Sequence, residues 1–113
     1  MLARRNRVTS GADYRTIVRR GRRTSTGTAV VSALAGPSDA PTRFGFIVSK
    51  KVGNAVTRNL VRRRLKAVTA GLLPTLCPGV SIVIRVLPGM ERTAWDTLQE
   101  EIASAVTRAV RTL

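Results

Sequence analysis

Apolar residues recur along this chain with two periods, and the switches between them set out its elements. Thr28 to Leu34 is short, β-branched and apolar, which predicts a strand. Arg43 to Ser49 alternates, with Phe44, Phe46 and Val48 on one face and Gly45, Ile47 and Ser49 on the other. The aromatic face must be buried; the opposite one, small and open, suits the floor of a groove. Val80 to Leu87 is a mostly apolar, central or well-covered strand in which Arg85 is the exception.

Helical spacing accounts for the rest. Ser10 is placed to cap a helix from Ala12 to Arg19, with Asp13 at its positive end and Tyr14, Ile17 and Val18 on one stripe. A second helix follows a Gly53-Asn54 turn in which Asn54 is a candidate cap, begins near Val56 and ends near Gly71, with Val61, Leu65, Val68 and Leu72 on its apolar face. Thr93 and Asp96 read as a capping box for the last helix, whose packing stripe is Trp95, Leu98, Ile102, Val106, Ala109 or Val110, and Leu113. Trp95 is expected in the core. Arg22 to Gly27 reads as a polar connection, Gly36 to Pro41 as a hairpin tip, and Leu72, Leu73 and Leu76 as cover for the core. The expected fold is α+β in the order α-β-β-α-β-α, with room for an extra short strand.

At 113 residues the chain makes one compact domain, 1–113, with residues 1–8 as a mobile basic arm. Its net charge of +14 points to a polyanion, and the distribution of that charge is uneven. Eight Arg stand against Asp13 up to Arg23, and eight Lys or Arg against no acid from Arg43 to Lys66. From Ala67 onward four Arg balance four acids, so the C-terminal part is a neutral scaffold. Seventeen of the twenty basic residues are Arg, which favours planar contact with phosphate, although genomic base composition gives the same bias.

Cys77 is alone, which fits a reducing cytoplasm. Pro74, Pro78, Arg85 and Pro88 break the one region that approaches transmembrane length, so no membrane partner is expected. The basic start is not followed by a signal-type apolar segment. An organellar transit peptide is the competing reading of that start, but Asn6 to Gly21 already patterns as folded structure.

With no histidine, one cysteine and six carboxylates, the chain lacks the groups for a zinc cluster or a Ser-His-Asp or Cys-His centre. Glu100-Glu101 reads as the solvent side of the last helix. What stands out instead is the second helix. Arg58, Arg62 and Lys66 recur every four residues, Asn59 and Arg63 lie on the next row, and Lys50 and Lys51 precede them. Like charges at that spacing weaken an isolated helix by a few tenths of a kcal/mol per pair, a cost that closely spaced phosphates offset.

The run Phe44-Gly-Phe-Ile-Val-Ser-Lys-Lys-Val-Gly-Asn-Ala-Val-Thr-Arg-Asn59, followed by Arg62-Arg63 and Lys66, resembles the bacterial ribonuclease P protein component. Asn6-Arg7-Val8, Asp13-Tyr14 and Arg20-Gly21 extend the resemblance over most of the chain. It implies an accessory subunit of an RNA-catalysed endoribonuclease that cuts the 5′ leader from precursor tRNA. No catalytic residue is then expected on the polypeptide, Mg2+ is held mainly by the RNA, and no protein partner is required. By the same resemblance Lys50, Arg58, Asn59, Arg62, Arg63 and Lys66 contact the catalytic RNA, and Tyr14, Val18, Ile47 and Lys51 line a cleft for the leader. The resemblance also implies a left-handed crossover around the basic helix, where a strand-helix-strand unit is ordinarily right-handed.

Two positions depart from the family's pattern: Val18 and Ser32 stand where aromatics are frequent. Fewer stacking surfaces imply leader binding that is salt-sensitive and weakly sequence-selective. The competing readings are a ribosomal or RNA-chaperone protein, which the basic helix suits equally well, and a DNA-binding helix-turn-helix module, which the flanking strands disfavour.

Overall fold

The computed structural model describes residues 2–113. Its elements are α1 (Gly11–Arg20), β1 (Arg22–Ser25), β2 (Ala29–Ala35), β3 (Arg43–Ile47), α2 (Ala55–Leu72), β4 (Val80–Val86) and α3 (Trp95–Arg111). The strands form one mixed sheet in the order β1-β2-β4-β3. The β1/β2 and β2/β4 pairs are antiparallel, and α2 connects the adjacent parallel strands β3 and β4.

Period-two patterning gives this sheet two unlike faces. Ile82, Ile84 and Val86 of β4, Val31 and Ala33 of β2, and Phe44 of β3 point to the main core, where Val61 and Leu65 of α2 and Leu98, Ile102 and Val106 of α3 cover them. The other face carries a smaller cluster of Val8, Ile17 and Val83 with Tyr14, Val18, Leu34 and Ile47 around it, and α1 is the helix that covers it. The three helices therefore divide two to one between the faces.

The structure departs from the pattern in five places. Arg22–Ser25, read as a connection, is strand β1, because its backbone pairs with β2 from Arg22↔Ala33 to Ser25↔Val30. The loop after β2 is not a hairpin tip: β4 lies between β2 and β3, and the loop passes the start of β4, where Gly36 N–H donates to the Gly79 carbonyl at 2.7 Å. Gly79 has φ +87°, and a Cβ there would meet the Pro37 carbonyl oxygen at 2.3 Å, so the crossing requires glycine.

The segment read as a free arm is docked. Leu2, Asn6 and Val8 are buried; the Asn6 side-chain amide donates to the Thr42 carbonyl at 2.8 Å, and Val8 N–H donates to the Phe44 carbonyl at 2.9 Å. Met1 lies outside the described residues. Thr93 bonds back to the Gly89 carbonyl rather than capping α3, whose N-cap is Ala94. Trp95, the first residue of α3, is 39% exposed, and Leu113 is exposed beyond the helix's other end. Helical spacing fixes an angle around the axis; whether anything covers that turn is decided by the neighbouring elements.

Candidate nucleic-acid interface

Asn54 ends the turn after β3 and caps α2, its Oδ1 accepting from Thr57 N–H at 2.9 Å. Upstream, Lys50 and Lys51 are the exposed central residues of a turn closed by Val52 N–H to the Ser49 carbonyl at 3.1 Å. Val52 is buried beneath them, which fixes the turn on the core.

Along α2 the buried side is Val61, Leu65, Val68 and Thr69, and this sets where the charges fall. Arg58, Arg62 and Lys66 form one half-buried flank beside the buried face, while Asn59 and Arg63 ride the exposed crest. Arg64 lies on the other flank. The crest also carries Val56, 77% exposed, and Leu60, 37% exposed, apolar residues that the sequence pattern did not flag.

None of the α2 cations meets an acid. Among the described residues the ion pairs are Arg43–Asp13 and Arg92–Glu91. Arg58 reaches only the Asn54 carbonyl at 3.4 Å, and Arg62 only Asn59 Oδ1 at 3.3 Å. Arg62 and Lys66 share a hollow of about 230 Å3 with Arg7, Thr9, Tyr14 and Phe46. Arg7, brought there by the docked N-terminal segment, is a member that periodicity could not reveal.

Tyr14 joins this hollow to a second one. Its ring lies on Gly45, so close that a Cβ there would sit 2.6 Å from it. Its hydroxyl accepts the Phe46 N–H at 3.2 Å, satisfying a donor on the edge of β3. On the other side Tyr14, Arg15, Val18, Arg19, Arg23 and Ile47 line a hollow of about 530 Å3 between α1 and the sheet. Tyr14, Val18 and Ile47 thus line one hollow. Lys51 lines neither hollow; it sits in the turn that follows β3.

The strand register shows how much of the sheet α1 leaves open. On its face, Gly45, Val83, Ser32 and Arg23 form one row across β3, β4, β2 and β1, and α1 lies over it through Tyr14 and Ile17. Towards the start of β4, the row of Arg43, Ser81 and Leu34 is closed by the Arg43–Asp13 pair at 3.0 Å and by Arg43 to Ser81 at 3.1 Å. The row of Ile47, Arg85, Val30 and Ser25 is left largely open, with Arg85 and Ser25 exposed and Ile47 and Val30 half-buried. A further hollow of about 360 Å3 opens on the closed side of α1, but its charged residues, Asp13 and Arg43, neutralise each other. The Arg43–Asp13 pair is half exposed, so we expect Asp13→Asn to lower stability by less than about 1 kcal/mol in thermal unfolding.

The acids lie elsewhere. Glu100, Glu101 and Arg108 of α3 border Thr26 and Gly27 on the opposite side of the sheet, and Thr28 donates to Glu101 at 2.9 Å. Among the described residues no three of His, Cys, Asp and Glu come together. A helix-turn-helix is also ruled out by the fold, because α2 is entered from a strand and a turn.

A neutral scaffold that carries an acid-free cationic surface beside an open sheet defines a small α+β protein built to engage nucleic acid. The family model described as ribonuclease P matches residues 2–110. The chain is 89% identical over 113 residues to the ribonuclease P protein component of Clavibacter michiganensis subsp. michiganensis, with 100% of both chains covered. It is 45% identical over 106 residues to that of Pseudarthrobacter chlorophenolicus, covering 94% of this chain and 78% of the other. Among solved structures, the RNase P protein of Staphylococcus aureus matches with a TM-score of 0.84 at 22% identity, over 92% of this chain and 94% of that one. The RNase P protein from Thermotoga maritima matches with a TM-score of 0.77 at 20% identity, over 96% and 98% of the two chains. These two share the fold. The chain belongs to the ribonuclease P protein family.

Proposed function

We propose that this chain binds the catalytic RNA of ribonuclease P along α2 and the precursor's 5′ leader in the cleft beside α1. Family membership makes it the protein component of the endoribonuclease that matures tRNA 5′ ends, and the reading as a ribosomal or chaperone protein is not favoured. One observation carries the assignment of surfaces: the hollow that holds Arg62 and Lys66 and the hollow between α1 and the sheet meet at Tyr14, which lines both.

Lys50, Arg58, Asn59, Arg62, Arg63 and Lys66 are assigned to the catalytic RNA. Tyr14, Val18, Ile47 and Lys51 are assigned to the leader. The polypeptide supplies no acid, base or nucleophile. Its cations neutralise phosphates where the two RNAs converge, which lowers the repulsion opposing their contact and favours Mg2+ held on RNA oxygens. Such a protein works where precursor tRNA is made, in the cytoplasm; no helix in the described residues is long and apolar enough to cross a membrane.

Adding the chain to a bacterial ribonuclease P RNA is expected to restore precursor cleavage at Mg2+ concentrations where the RNA alone is inactive. Absence of any stimulation would overturn the reading. For the cleft, Tyr14→Ala is expected to lower affinity for a long-leader precursor by about 1 to 3 kcal/mol and to leave a leaderless one unchanged.

A further inference from the structure

We propose that Arg85, with Arg15, Arg19 and Arg23, forms a phosphate track that holds the leader's backbone across the sheet. This rests on the reading of the α1 cleft as the leader site, and adds to it the groups that grip the strand and the direction in which it runs.

Arg85 is the one charge in β4, a strand flanked on both sides by β2 and β3. It stands in the row that α1 leaves open, beside Ile47 and Val30. It is exposed, and among the described residues it makes no ion pair or side-chain hydrogen bond. A lone guanidinium in the middle of a sheet face has no structural partner to explain it.

Three more arginines line the hollow between α1 and the sheet, which reaches Arg85's row at Ile47. Arg15 and Arg19 lie four residues apart on the side of α1 that borders Val18 and Ile47, and Arg23 enters from β1. Arg23 is held in place by donating to the Val18 carbonyl at 3.3 Å, near the end of α1. Asp13, the acid on α1, lies on the helix's other side and is taken by Arg43.

The open row crosses four strands, or about 14 Å at roughly 4.8 Å per strand spacing, which is room for a few nucleotides. A single strand lying along it runs perpendicular to the β-strands, from Ile47 at the β3 edge towards Ser25 at the β1 edge. Its bases meet the apolar Tyr14, Val18 and Ile47, and its phosphates meet arginines on both sides. Because Val18 offers no stacking ring, the backbone contacts carry more of the binding.

The experiment uses ribonuclease P reconstituted from the catalytic RNA and this chain, and measures affinity for long-leader and leaderless precursors across a salt series. Arg85→Gln is expected to weaken long-leader binding roughly fivefold to tenfold and to leave leaderless binding within about twofold. It should also reduce the slope of log affinity against log salt by about 0.7, the value for one single-strand phosphate contact. Arg85→Lys should restore that slope, and Tyr14→Ala should lower long-leader affinity with the slope unchanged. If Arg85→Gln leaves the slope intact or weakens both precursors equally while Tyr14→Ala acts on the long leader alone, the track is overturned and the cleft reading stands. If neither variant distinguishes the two precursors, both are overturned.

Discussion

Arg62→Ala is expected to weaken assembly with the catalytic RNA tenfold to a hundredfold without destabilising the protein. The two halves of this expectation have separate physical sources. A charge-assisted contact with phosphate is worth about 1.5 to 3 kcal/mol, and that sets the loss of affinity. Stability is spared because the Arg62 guanidinium reaches only Asn59 Oδ1, at 3.3 Å on the exposed side of α2. Removing it also relieves repulsion from Arg58 and Lys66, each four residues away, by a few tenths of a kcal/mol. Titration against the catalytic RNA reads the first half, and thermal unfolding of the free protein reads the second. Arg58→Ala should behave the same way. A fall in Tm of roughly 4 °C or more, the equivalent of about 1 kcal/mol, would make the residue structural and remove it from the interface.

The second large effect is expected at a residue that touches no RNA. Gly45→Ala places a Cβ 2.6 Å from the Tyr14 ring and 2.8 Å from its hydroxyl. One of the two must move. The backbone of β3 is held by its pairing with β4, whereas Tyr14 is a half-buried side chain at the edge of a cleft, so the ring is displaced. Its bond from Phe46 N–H is lost with it, at about 1 kcal/mol, and the crowding adds a further cost of about 1 kcal/mol or more. The larger consequence is functional: with the ring off the cleft floor, long-leader affinity should fall as far as in Tyr14→Ala. In the double variant Gly45→Ala, Tyr14→Ala the crowding is absent. Its stability should therefore be no lower than that of Tyr14→Ala alone, a non-additivity that unfolding curves of the four proteins can measure. Simple additivity would mean that Gly45 is not kept small for Tyr14.

Several elements were legible because the residues that define them are neighbours in sequence. The alternation at Phe44 to Val48 separates a core face from a groove face. Asn54 caps α2 and Ser10 caps α1 through bonds only three residues long. The Arg58, Arg62 and Lys66 row follows from helix geometry alone. Other features depend on partners distant in sequence. Strand β1 is polar and looks like coil until β2 pairs with it. Asn6 and Val8 are buried because Thr42 and Phe44 accept their hydrogen bonds. Trp95 lies on the helical stripe by angle, yet the fold leaves it 39% exposed.

The sequence by itself determined the α+β class, the Ser10 and Asn54 caps, the neutral scaffold and the cationic face of α2, since each rests on periodicity or composition within a short window. The tertiary structure decided the strand order, and with it everything about the cleft. Only when β4 is set between β2 and β3 do Ile47, Arg85, Val30 and Ser25 fall into one row. Only when α1 lies across the sheet is that row the one left open, with Tyr14 between it and Arg62. Hydrogen-bond register and helix placement are long-range choices, made by packing free energy summed over the whole domain, and no local pattern encodes them.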